Sequence, residues 1–141
     1  MWRVVMAPPF DLLGLDHIVL RVRNVERMIG FYRDVLGCSL EKVQAEIGLY
    51  QLRAGRSLID LVPLDGTLGR MGGAGPGVEG RNLEHFCLEI SRFDDADIRA
   101  HLTAHGVSIG TTGERYGAGG EGLSIYLTDP EGNNVELKAP A

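Results

Sequence analysis

The sequence predicts an α+β fold built from two βαβββ modules that form a curved mixed sheet, with helices outside and a cleft on the open face. Three observations predict it: a strand start that occurs twice, a capped amphipathic run after each copy, and three short alternating segments after each run. The repeated start reads Leu15-Asp16-His17-Ile18-Val19-Leu20-Arg21-Val22 and again Leu83-Glu84-His85-Phe86-Cys87-Leu88-Glu89-Ile90. Both are apolar, acidic, His, then alternating, as a half-buried strand requires. Asn24 is placed to cap a helix from Val25 to Leu36, with Val25, Met28, Ile29, Tyr32, Val35 and Leu36 on one stripe and Gly37 as its stop. Asp94 caps the second run, through His105, and Gly106 ends it. Strand-like segments follow at Ser39–Gln44, Ile47–Leu52 and Ser57–Val62, then at Val107–Thr111, Leu123–Thr128 and Asn134–Lys138. Asp129-Pro130-Glu131-Gly132 suits a type I turn joining the last two.

Module 1 covers about residues 14–64 and module 2 about 82–139, within one domain of 141 residues. Between them, at about 65–81, lies a glycine-rich linker that holds seven of the chain's 20 glycines. Its Gly75-Pro76-Gly77-Val78-Glu79-Gly80 matches a dinucleotide-loop pattern by letter, but a strand follows, so no helix N-terminus stands ready for a phosphate. A net charge of −5 without charge blocks argues against a nucleic-acid partner. No apolar run approaches the ~18 residues of a membrane span, and the opening is too short and proline-broken for a signal peptide. Cys38 and Cys87 offer neither a disulfide framework nor a zinc knuckle, so a reduced, cytoplasmic setting is expected.

Side chains alternate along a strand, so His17, Val19 and Arg21 oppose Ile18, Leu20 and Val22, and His85 and Cys87 oppose Phe86 and Leu88. The last strand of each module carries an acid at its centre, Asp60 in one and Glu136 in the other. If the apolar faces pack under the helices, His17, His85, Asp60 and Glu136 share the opposite face. Two neutral imidazoles with one or two carboxylates make a divalent-metal site suited to Zn, Ni, Mn, Co or Fe. His101 and His105, four apart on the second helix, are read as solvent-facing, and Cys87 as a small residue on the cleft floor.

These residues carry a resemblance. The paired modules, Leu15-Asp16-His17, Phe31-Tyr32-Arg33-Asp34-Val35-Leu36-Gly37 and Tyr126-Leu127-Thr128-Asp129-Pro130-Glu131-Gly132-Asn133-Asn134-Val135-Glu136-Leu137 look like the vicinal oxygen chelate superfamily. That group includes glyoxalase I, fosfomycin-resistance transferases, extradiol dioxygenases and bleomycin-binding proteins. The resemblance implies metal ligands at His17, His85 and Glu136, with the family's fourth position falling on Asp60. Asp is one methylene shorter than Glu, which leaves Asp60 open between ligand, water-mediated contact and general base; the base is the first assignment. Ser124, Tyr126 and Arg115 are expected to contact substrate.

The implied activity is a glyoxalase-type lyase or isomerase that chelates vicinal oxygens of a small molecule and stabilises an enediolate or enolate. An Fe(II) ring-cleaving dioxygenase and a metal-free drug-binding protein are the alternatives. Fosfomycin modification is disfavoured, because the chain ends five residues after Glu136. A homodimer is implied, with the site either inside one chain or shared across two.

Overall fold

The computed structural model describes residues 6–140. In module 1, β1 (His17–Val22) leads to α1 (Val25–Asp34), then β2 (Ser39–Gln44), β3 (Leu49–Ala54) and β4 (Ser57–Pro63). A one-turn helix, α2 (Thr67–Arg70), starts the linker. Module 2 runs β5 (Phe86–Glu89), α3 (Asp95–Ala104), β6 (Ser108–Gly117), β7 (Gly120–Thr128) and β8 (Asn134–Lys138). Asn24 and Asp94 cap their helices as expected, accepting from the backbone N–H groups of Arg27 and Asp97, both at 3.0 Å. Gly37 and Gly106 follow the helices with φ of +79° and +68°, values an L side chain rarely adopts.

The two sheets are ordered β1-β4-β3-β2 and β5-β8-β7-β6, so the fold repeats strand for strand. The mixed sheet is built as two four-stranded halves, one per module, and among the described residues no strand pairing joins them. Part of the reason lies on β1. Asn82 accepts from the Arg21 N–H at 3.3 Å and donates to the Arg21 carbonyl at 3.0 Å, which occupies both main-chain groups of that residue. β1 and β5, the strands tied to the two histidines, are therefore outer strands.

One core nevertheless spans both modules. Leu20, Met28, Tyr32, Leu52, Ile59 and Leu61 pack in a single cluster with Phe86, Leu102, Ile125, Leu127 and Val135. Helix α1 joins this core through its buried face: Tyr32 stacks near Phe86 with ring centroids 6.5 Å apart. Its hydroxyl donates to Asp129 at 2.7 Å. The turn Asp129–Gly132 closes as predicted, with the Gly132 N–H on the Asp129 carbonyl. Glu131 then reaches back to accept from the N–H groups of Arg23 and Asn24 at 2.7 and 2.8 Å, at the positive end of α1. The motif that carries the family resemblance is thus the clip between the modules.

Two features lie outside the sequence reading. Strands β6 and β7 are longer than their apolar segments and take in Gly113, Gly117, Gly120 and Gly122. Helix α2 forms inside the glycine-rich stretch, where a Cβ on Gly69 would lie 1.8 Å from the Pro63 carbonyl oxygen.

Candidate metal centre

Each module builds one half of a site by the same rule. In module 1, Val19 pairs with Asp60 on β4, which pairs with Gln51 on β3. In module 2, Cys87 pairs with Glu136 on β8, which pairs with Tyr126 on β7. His17 and His85 stand two residues before Val19 and Cys87, so the pleat puts each imidazole on the same face as its carboxylate. The predicted faces hold: Leu20, Val22 and Phe86 are buried, while Val19 and Cys87 are exposed.

The imidazoles are held from behind by the acids that precede them. Asp16 bonds His17 Nδ1 at 2.7 Å, and Glu84 bonds His85 Nδ1. Each Nε2 then faces the sheet, 3.9 Å from Asp60 in module 1 and 3.2 Å from Glu136 in module 2. A carboxylate on one ring nitrogen with the other presented forward is the arrangement of a metal-ligating histidine, which the supporting acid orients and makes more basic. Asp16 and Glu84 are functional candidates the sequence reading missed, although both stood in the repeated start. These bonds raise both histidine pKa values above 6.5.

The carboxylates are buried and supported. Gln51 donates to both Asp60 oxygens, at 3.2 and 3.3 Å. Ser124, expected to meet substrate, has no exposed surface and donates to Glu136 at 2.5 Å instead. Burial pushes the Glu136 carboxyl up, but hydrogen bonds from Ser124 and Tyr126 and the charge on His85 outweigh it, leaving it below its ordinary value. Tyr126 does border the face, edge-on to His85 with centroids 5.7 Å apart, and Arg115 lies 5.7 Å above its ring. Arg21, on the same strand face as His17, is committed to the linker, donating to the carbonyls of Gly73 and Ala74 at 3.1 and 2.7 Å.

Among the described residues, no three of His, Cys, Asp and Glu come together closely enough to hold a metal. His85 and Glu136 meet; His17 does not join them. His101 and His105 form no site either: their rings contact edge-on at 4.8 Å, and His101 bonds the Val35 carbonyl at the end of α1 rather than facing solvent alone.

Comparison with known proteins agrees with this architecture. Residues 14–137 match the family model of the Glyoxalase/Bleomycin resistance protein/Dioxygenase superfamily, and the chain belongs to that family. The glyoxalase domain-containing protein RDO1 of Mycosarcoma maydis is 30% identical over 98% of this chain and 74% of its own length. Virulence protein STM3117 of Salmonella typhimurium is 28% identical over 87% of this chain and 81% of its own. The STM3117 crystal structure superposes with a TM-score of 0.73, covering 94% of this chain and all of that one. The fosfomycin resistance protein FosX of Listeria monocytogenes shares the fold, with a TM-score of 0.69 at 20% identity over 93% and 94% of the two chains.

Proposed function

We propose that this chain is a divalent-metal-dependent enzyme of the glyoxalase type, a lyase or isomerase acting on a small molecule with two neighbouring oxygens. The observation that carries the reading is the twofold arrangement of an imidazole with one acid behind it and another in front. His17, His85 and Glu136 would hold the ion, and each donor type suits Zn, Ni, Mn, Co or Fe. One chain offers two half-sites, so a second copy supplies the missing half. The outer position of β1 and β5 supports this, because free strand edges seek a partner. Two free cysteines fit a reducing compartment, the cytoplasm.

When bound, the ion supplies a Lewis acid for negative charge developing on a substrate oxygen. The chain's own residues do the remaining work. Tyr126 forms an aromatic wall beside His85, and Ser124 and Gln51 fix the two carboxylates. Asp60 stops short of its histidine, whereas the longer Glu136 closes on its own. That difference supports Glu136 as the ligand of the ion and Asp60 as the group that moves the proton, with Gln51 holding its oxygens in place.

Metal-loaded protein incubated with hydroxyacetone in D2O should exchange the α-protons, followed by proton NMR. Asp60→Asn should slow the exchange by about a thousandfold. Equal exchange by both proteins would remove Asp60 from the mechanism.

A further inference from the structure

Lys138 stands two residues beyond Glu136 on β8, so the pleat puts it on the same face. It is 7% exposed, yet among the described residues no hydrogen bond or ion pair reaches its ammonium. Its cross-strand neighbours are Ser124 on β7 and Glu89 on β5. Ser124 is spent on Glu136, and Glu89 forms no ion pair with it.

Glycines make its room. A Cβ on Gly117 would meet the lysine stem at 3.1 Å, and one on Gly122 would lie 3.0 Å from Nζ. Gly113 does the same for Arg115, whose Nη1 would be 2.7 Å from a Cβ there. Glycine weakens a strand unless something must approach closely. Here two cationic side chains lie in the space that three glycines of one hairpin leave, and Arg115 stands over the Tyr126 ring.

The stem is buried while the ammonium keeps contact with solvent, so a charge without a protein partner stands at the mouth of the groove, open to an anion. We infer that Lys138 receives a carboxylate of the substrate, in a subsite separate from the metal donors. The ammonium is a compact point charge, matched to a single carboxylate, and Arg115 closes the same side of the cleft. Two residues of strand put Lys138 about 7 Å beyond Glu136 before the stem adds its own reach. The substrate is then an extended acid, with its neighbouring oxygens at one end and its carboxylate at the other. This rests on the metal-dependent reading above.

The chain has only two lysines, Lys42 and Lys138, so labelling lysine with nitrogen-15 gives two ammonium signals. Titration with 2-oxoadipate should move the Lys138 signal and leave Lys42 in place. With 2-oxopentanoate, which lacks the distal carboxylate, neither should move. Lys138→Met should weaken 2-oxoadipate binding about tenfold, as loss of a charged hydrogen bond does, and change 2-oxopentanoate binding less than twofold. A Lys138 signal that ignores 2-oxoadipate, or a variant that keeps the preference for it, would overturn the subsite. Metal content measured on the same samples tests the other reading: metal-free protein whose Lys138 still responds keeps the subsite and loses the metal.

Discussion

His17→Ala and His85→Ala each remove one imidazole, and their combination distinguishes a site shared between two chains from one inside a single chain. In a shared arrangement every site of either variant pair lacks one of its two histidines. Loss of a ligand exceeds the ~100-fold that loss of a mere supporting partner costs in metal affinity, so each variant alone should lose its metal on dialysis. A hybrid of one His17→Ala chain and one His85→Ala chain is different. By twofold symmetry, one of its sites receives both intact imidazoles and the other receives none. The hybrid, isolated through two different affinity tags after co-expression, should therefore carry about half the wild-type metal by elemental analysis. The separation of His17 from the His85–Glu136 pair within one chain motivates this value. A verified hybrid with no more metal than its parents would refute the shared site, and either variant keeping full metal would remove that histidine from the ligand set.

Three further outcomes follow from the supporting contacts. Tyr32→Phe strips a hydrogen bond from buried Asp129 and should cost about 2 kcal/mol, read as a lower midpoint in urea unfolding. An unchanged midpoint would show that the clip between modules adds nothing to stability. Ser124→Ala and Glu84→Gln should leave the fold intact and lower metal affinity by roughly 10- to 100-fold, measured by competition with a chromophoric chelator. Cys87 is exposed as a residue, but desolvation of its thiol and the neighbouring Glu136 carboxylate push it up to about 11, so it should alkylate slowly with iodoacetamide at pH 8 and faster as pH rises toward that value. Rapid alkylation at neutral pH would contradict its surroundings.

Local chemistry was legible in the sequence and long-range apposition was not. Asn24, Asp94, Gly37 and Gly106 marked the helix ends because caps act within one turn. Period-2 alternation put His17 and Asp60 on one face, as found. The same rule failed for β6 and β7, where Gly113, Gly117 and Gly122 look like loop residues until the side chains of Lys138 and Arg115 are seen filling their space. Ser124 was correctly placed on the site face, but nothing local says that its hydroxyl turns to Glu136 rather than outward. The contact of Asn82 with Arg21 was hidden as well, since nothing local signals a meeting across 61 residues.

That last contact has a consequence for solubility. The amide of Asn82 imitates a neighbouring strand for one rung, offering an acceptor and a donor where another chain's backbone would otherwise dock. Exposed strand edges invite pairing with other chains, and a rung whose donor and acceptor are already taken cannot join such a ladder. A single side chain thereby covers one rung of an exposed sheet edge that would otherwise serve as a template for aggregation.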